Sequence, residues 1–310
     1  MLVLSGPSGT GKSALAMALA ATLNAEIVSA DSALIYRHMD IGTAKPTAAE
    51  RARVPHHLID IRDPHQSFSV AEYGPLAEAA AVAAAGRGRL PLLVGGTGLY
   101  VRQVLEAPEL PPVAPQLAWR ADLERMAAEG GADRLHAALM RVDPVAAAAI
   151  HPANVRRVIR ALEVHHVTGR PISSFWTAAR VHRLPALVVV CDRPPAVLAA
   201  RVAARARAML AAGLVDEVRG LLAAGVSAAD QAMQALGYKE TVAWLAAGRE
   251  PVTALEDALI RATLRYVKRQ RTWWRAAAHA SWVDLGDRPA EEALGRIVDA
   301  WRAFQASPSL

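Results

Sequence analysis

Gly6-Pro7-Ser8-Gly9-Thr10-Gly11-Lys12-Ser13 stands between an apolar triplet, Leu2-Val3-Leu4, and a run of strong helix formers from Ala14 to Leu23. No other feature narrows the folds open to this chain so far. The spacing G-x-x-x-x-G-K-S, placed between a strand and a helix, is that of a loop whose backbone N–H groups curl round phosphate oxygens. The helix N-terminus adds its partial positive charge. Lys12 is expected to reach the terminal phosphates, and Ser13 to hold Mg²⁺ through its hydroxyl.

The rest of the chain extends the same alternation. Ala25 to Ala30 reads as a second strand ending at Asp31-Ser32, and a loop-rich stretch follows, punctuated by Gly42, Pro46, Pro55 and Pro64. Glu72 to Ala85 reads as a helix, and Leu90 to Val94 as a buried strand running into Gly95-Gly96-Thr97-Gly98. Pro108, Pro111, Pro112 and Pro115 mark a boundary, beyond which Leu117 to Gly169 shows helical patterning alone. Strand and helix resume with Ala186 to Val190 and Ala196 to Ala212, then the helices Val215 to Ala224 and Thr253 to Arg275. A strand at Ser281 to Leu285 and a helix at Ala290 to Phe304 complete the pattern. The expected class is α/β: a P-loop NTPase-like parallel sheet flanked by helices, with a small all-helical insertion domain. Residues 1–112 and 185–310 form the expected catalytic core, and residues 113–184 the insertion.

Composition excludes several classes. At 53% apolar and 21% charged over 310 residues the chain has ample material for a core. The longest strongly apolar stretch, Leu187 to Cys191, is far short of a membrane span, and Met1 leads straight into the first strand with no leader pattern, so a cytoplasmic protein is expected. A single cysteine, Cys191, permits no internal disulfide. The net charge of +6 is uneven: residues 1–112 sum to −1, residues 113–184 to +4 and residues 185–310 to +3. Arg261 to Arg275 holds six basic residues and no acidic one, which suits a polyanion or a solvated helix face. Of the 35 lysines and arginines only Lys12, Lys45, Lys239 and Lys268 are lysine. In a chain biased towards arginine, lysine is expected where a compact ammonium fits and a planar fork does not.

Ligands of a parallel sheet bind beyond the carboxyl ends of the strands, where Asp31 and Thr97 fall. A carboxylate at Asp31 could hold Mg²⁺ through water, act as a general base, or cap a following helix. Thr97 could donate to a bound phosphate or simply turn the chain. Arg201 and Arg205, four residues apart, share a helical face that could close over phosphates or remain solvated. Arg265, Lys268, Arg269 and Thr272 share a basic face of a later helix, whereas Tyr266, Gln270 and Trp273 share the next and read as core. His56-His57 invites a metal, but adjacent histidines point apart and no third ligand is spaced to help.

Taken together, these segments resemble the tRNA dimethylallyltransferases. The resemblance is carried by Gly6 to Ser13, Ser29-Ala30-Asp31-Ser32, Tyr36-Arg37, Met39 to Pro46, Pro55 to Asp60 and Gly95 to Tyr100. It continues through Arg160 to Val164 with Thr168-Gly169, Gly213 to Val218, Gln234 to Glu240 and Tyr266-Val267-Lys268-Arg269-Gln270. It implies transfer of a five-carbon dimethylallyl group from dimethylallyl diphosphate to N6 of adenosine 37 in the anticodon loop of tRNA, with Mg²⁺ and release of diphosphate. The diphosphate would sit on Gly6, Ser8, Gly9, Thr10, Gly11, Lys12 and Ser13, with Ser13 on the metal. Asp31, Thr97 and Arg205 would be catalytic: Asp31 accepts the N6 proton, Thr97 bonds the bridging oxygen and Arg205 holds the leaving charge. The target base would leave the loop stack to reach them. Contacts to tRNA would come from Asp31, Ser32, Ala33, Leu34, Tyr36, Arg37, Arg120, Arg156, Arg157, Arg160, Gln234, Lys239, Arg265, Lys268 and Arg269, reading single-stranded bases and backbone. The chain departs from the family at Leu34, where a glutamine is usual, and around Arg156 and Ile159, where glutamines interleave with arginines. A monomer with no membrane partner is expected.

The rival readings are a P-loop small-molecule kinase using the same loop for ATP, an isopentenyltransferase acting on free adenylate, and a non-catalytic RNA-binding module. The basic insertion favours tRNA over the small-molecule readings, and the assembly of Lys12, Asp31 and Thr97 disfavours a passive module.

Overall fold

Leu2 and Leu4 face one side of a sheet and Val3 the other, and all three are buried, because helices cover both sides. The computed structural model describes residues 1–107, 111, 113–176, 184–248, 251–277 and 280–307. It divides into two compact units, Met1–Glu106 with His182–Leu310, and Ala107–Val181.

In the first unit β1 (Leu2–Ser5), α1 (Lys12–Leu23) and β2 (Ala25–Ser29) follow one another directly. Next come α2 (Ala48–Arg53), β3 (His56–His57), α3 (Val70–Gly86), β4 (Leu90–Gly95) and α4 (Gly98–Glu106). α2 and β3 lie in the stretch expected to be loop. α2 and α3 each begin with a capping box, Thr47 with Glu50 and Ser69 with Glu72.

The second unit holds helices and no strand among its described residues: α5 (Leu117–Met126), α6 (Ala132–Val142), α7 (Pro144–Ala149) and α8 (Val155–Thr168), with a short turn of helix at Ile172–Phe175. Leu135, Leu139, Val158 and Ile159 form its core. Asp143 caps α7 through the Ala146 N–H at 2.9 Å and takes the Ser173 N–H at 2.9 Å. Ile159, which departs from the glutamine-interleaved pattern of the family, is core.

The first unit resumes with β5 (Leu187–Asp192), α9 (Pro195–Ala211), α10 (Leu214–Ala223), α11 (Tyr238–Ala247), α12 (Val252–Arg275), β6 (Ala280–Asp284) and α13 (Leu294–Ala306). Its six strands are all parallel in the order β3-β2-β4-β1-β5-β6. β1 is thus central, with Leu2 opposite Leu92 on one side and Leu187 on the other. On one flank of β1 the chain lays down β2, adds β3 outside it and returns to place β4 between β2 and β1, and it then crosses to the other flank with β5. The loops after β1 and β4 open into the crevice this reversal leaves, the usual ligand position of an open parallel sheet. α1 and α13 cover one face through Leu15, Leu19, Ile297 and Trp301. Tyr73, Tyr100, Leu214, Met233 and Trp274 lie on the other. No helix among the described residues is long and apolar enough to cross a membrane.

Candidate active site at the carboxyl ends of the strands

The loop from Gly6 to Ser13 is held by its carbonyls. Lys12 Nζ and Thr10 Oγ1 donate to Pro7 O at 2.7 and 3.0 Å, Arg201 Nε to Gly9 O at 2.7 Å, and Arg193 Nε to Thr10 O at 2.8 Å. Fixing these carbonyls on cations orients the intervening peptides and leaves a concave set of amides for an anion. Gly6, at φ 138°, admits no side chain, since a Cβ there would fall 2.1 Å from the carbonyl oxygen of Cys191 on β5. Cys191 is a buried strand residue, and burial pushes its thiol up to about 11.

Arg193 was not foreseen. It is almost wholly buried, spans from Thr10 O to Gly286 O at 2.9 Å, and keeps Nη2 without a partner among the described residues. It ties the segment after β6 to the phosphate loop, so the end of the chain contributes to the scaffold of the site.

β4 lies between β1 and β2, so the turn carrying Thr97, rather than Asp31, adjoins the phosphate loop. Ser5 Oγ donates to Gly95 O at 2.7 Å across that seam. Thr97 N–H donates to Ala30 O at 3.1 Å, and the Ser32 N–H donates to Thr97 Oγ1 at 3.2 Å, which sets the two strand ends side by side. Asp31 Oδ1 accepts the Ala33 N–H at 2.9 Å. No helix starts there, so the carboxylate stabilises a turn and is not a helix cap.

Charge gathers at this point. Desolvation lowers the Lys12 ammonium to about 8, with Arg205 pushing the same way and Cys191 and Asp31 opposing. Desolvation likewise lowers Arg205, and Asp31 opposes it. Lys12, Asp31 and Arg205 are therefore electrostatic neighbours. Arg205 Nη2 also donates to Thr43 O at 3.3 Å, whereas Arg207 turns away to Glu256 at 2.8 Å.

The loop on which Arg205 leans is itself clamped. Glu217 accepts the N–H groups of Asp40, Ile41 and Gly42 at 2.9, 2.9 and 3.2 Å and the Tyr238 hydroxyl at 2.5 Å. Lys45, its ammonium enclosed, reaches Tyr36 O, Asp40 and Asp60 at 2.8, 2.6 and 2.5 Å. Beside Ser13 a cavity of about 90 Å³ is lined by Met17, Ser29, Leu34, Lys45 and His56.

α12 supplies the remaining wall. Gln270 accepts the Ser8 N–H at 2.9 Å and donates to Gly96 O at 3.0 Å, and Tyr266 lies near Thr97 and Gln270. The face read as core is thus part of the site. The Ser8 amide is committed to Gln270 and is not free for a ligand. Arg265, Lys268 and Arg269 are exposed, with the Arg269 guanidinium 5.5 Å from the Tyr266 ring centre. Arg271, from the same basic run, is paired to Asp192 at 2.8 Å.

The other expected contact residues fall into three groups. Ser32, Arg37, Gln234 and Lys239 are exposed, Arg37 pairing with Asp63 at 2.9 Å and Gln234 donating to Ala228 O at 2.8 Å. Ala33 and Leu34 are half-buried, and Tyr36 is buried in the core, with its strand-like pairing to Arg62 turning the ring inward. In the helical unit Arg156 and Arg157 are exposed, but Arg120 and Arg160 are bound to the buried carboxylate of Glu163 at 2.6 and 2.5 Å. His57 bonds Glu26 and His56 bonds Val54 O, and no group of three histidine, cysteine, aspartate or glutamate side chains among the described residues could hold a metal.

A family model described as IPP transferase matches residues 34–277, and one described as ATPase family associated with various cellular activities (AAA) matches residues 2–54. A tRNA dimethylallyltransferase of a Roseiflexus species is 45% identical over 97% of this chain and 98% of its own length. That of Chloroflexus aurantiacus is 48% identical over 92% and 98%. The crystal structure of the full-length tRNA isopentenylpyrophosphate transferase of Bacillus halodurans superposes with a TM-score of 0.73 at 39% identity, covering 98% of this chain and 95% of that one. The phosphate loop, the paired strand ends and this likeness over nearly the whole length agree, and the chain belongs to the IPP transferase family, among the tRNA dimethylallyltransferases.

Proposed function

We propose that the chain transfers the dimethylallyl group of dimethylallyl diphosphate to N6 of adenosine 37 in tRNA, giving N6-isopentenyladenosine and diphosphate. The observation that carries this reading is the pairing of the Thr97 turn with the end of β2 at Asp31-Ser32, beside the phosphate loop, with Lys12 and Arg205 in the same electrostatic neighbourhood. An adenine amine is a weak nucleophile because its lone pair is delocalised into the ring. The site must therefore orient it and stabilise the departing charge. The N6 lone pair attacks the allylic carbon, the carbon–oxygen bond breaks, and its electrons pass to the bridging oxygen of diphosphate. Asp31 takes the N6 proton, Thr97 donates to the bridging oxygen, and the loop amides with Lys12 and Arg205 hold the leaving group.

Among the described residues the Ser13 hydroxyl has no protein partner, and as a hard oxygen donor it fits Mg²⁺. When bound, the metal would neutralise diphosphate charge there. The exposed Arg156 and Arg157 of one unit, and Arg265, Lys268 and Arg269 of the other, would contact the tRNA backbone. A monomer acting in the cytoplasm completes the reading.

Labelled dimethylallyl diphosphate, incubated with unmodified tRNA or with AMP and followed by nuclease digestion, tests it. Label recovered as N6-isopentenyladenosine from tRNA alone is expected. Label only in AMP would assign an adenylate isopentenyltransferase, and ATP consumption with no label in either would assign a kinase.

A further inference from the structure

Gln270 lies on α12, remote in sequence from both loops it touches. Its amide is buried and engaged at both ends: Oε1 takes the Ser8 N–H at 2.9 Å and Nε2 gives a hydrogen to Gly96 O at 3.0 Å. Ser8 belongs to the loop that receives the diphosphate, and Gly96 precedes Thr97 in the turn after β4. The fit is close. A Cβ on Gly96 would fall 2.3 Å from Nε2, so the amide occupies the space of the missing side chain.

Four residues earlier on the same helix face, Tyr266 lies near Thr97 and Gln270. α12 is in turn fixed by Arg271, which grips Asp192 at 2.8 Å and the Arg193 carbonyl at the end of β5. A rigid helix thus carries one planar group that spans the two loops on which the chemistry depends.

We propose that Gln270 is a positioning residue for the transfer: it locks the phosphate loop to the Thr97 turn, so that the Thr97 hydroxyl meets the bridging oxygen in a fixed register. The inference rests on the function proposed above. It requires a neutral group with one donor and one acceptor on the same plane. Glutamine meets this at every pH. A protonated carboxylic acid also meets it, whereas a carboxylate is acceptor-only and sets a charge against Gly96 O. Alanine meets neither requirement.

The test compares wild type, Gln270→Glu and Gln270→Ala across pH, with kcat and KM for the donor and for tRNA read separately. Gln270→Ala is expected to lose about tenfold to a hundredfold in kcat, the cost of a small misplacement, with KM for tRNA unchanged. Gln270→Glu is expected to be at least as poor at pH 8 and, relative to wild type, to recover at acid pH beyond Gln270→Ala. That crossing separates positioning from simple charge repulsion, which would at best raise the glutamate variant to the alanine level. A wild-type kcat in Gln270→Ala, or a glutamate variant that never exceeds the alanine one, overturns the inference. Binding of inorganic pyrophosphate by the same proteins gives a readout independent of the prenyl acceptor. If wild type fails to prenylate tRNA, the proposed function falls, and the same crossing in pyrophosphate affinity still decides the role of Gln270.

Discussion

Lys12 folds back on the loop that carries it, donating from Nζ to the Pro7 carbonyl at 2.7 Å. The ammonium therefore closes a ring around the amides it is expected to serve, and it does so with its pKa drawn down to about 8 by desolvation. An incoming diphosphate would add negative charge beyond what Asp31 supplies.

A pH dependence follows, with a definite sign. Below about 8 Lys12 is charged in both free and bound forms, and its contribution to pyrophosphate affinity should be fully present. Above that value the free protein has lost the proton and binding must take one up, so affinity falls until the raised pKa of the bound state is passed. Calorimetry in buffers of different ionisation enthalpy should show proton uptake above pH 8. Lys12→Arg should abolish that uptake, since arginine does not titrate in this range.

Asp31→Ala should lower turnover by about 10²- to 10⁴-fold, the usual range for a general base, while pyrophosphate affinity stays within a few-fold of wild type. Single-turnover kinetics and calorimetry measure the two separately. A collapse of affinity would instead make the carboxylate a metal ligand.

Glu163 holds the helical unit together through Arg120, Arg160 and the Gln116 N–H. Burial alone would raise its carboxyl, but bonds from Arg120, the Gln116 amide and Arg160 overcome this and bring it to about 2. A depressed carboxylate stabilises the fold above its ordinary 4.5, and that contribution is lost as pH falls towards about 2. Glu163→Gln should cost about 2 to 3 kcal/mol at neutral pH, less than the full displacement because both arginines are partly in water. Urea unfolding at pH 7 and at pH 3 should show the gap between wild type and variant closing in acid.

Arg265 and Lys268 lie exposed on α12. Replacing both with alanine should flatten the salt dependence of tRNA binding by about 1.5 in the logarithmic slope, with pyrophosphate affinity unchanged. Filter binding between low and physiological salt measures this, and an unchanged slope would leave the pair as a solvated face.

Much of the core was legible because its signals are local. Leu2 to Leu4, Leu90 to Val94 and Leu187 to Val190 are short apolar runs bounded by turn residues, and the lysine-serine end of the phosphate loop needs only its spacing. α2 and β3 were missed because they are six and two residues long, too short for periodicity to show, although the Thr47–Glu50 capping box was there to be read. Gln270 was passed over for a physical reason. Tyr266, Gln270 and Trp273 recur at helical spacing as a core stripe does, and only the tertiary fold shows that what they cover is a pair of glycine turns. Arg193 is the converse, a buried cation whose partners are backbone carbonyls, which sequence does not reveal. Arg120 and Arg160 read as free charge because Glu163 is a single acid serving both. The spacing of Arg160 to Glu163, one helical turn, was the available hint.

The central claim is that the amides after β1 hold a diphosphate whose allylic carbon faces Asp31 and Thr97, so that carbon rather than phosphorus is attacked. A crystal structure of the protein with a non-reactive thiolo analogue of dimethylallyl diphosphate tests this most directly. The account predicts the diphosphate on the amides of Gly9 to Ser13, with the five-carbon tail directed to the crevice between Asp31 and Thr97. A tail directed to bulk solvent, away from both residues, would contradict it.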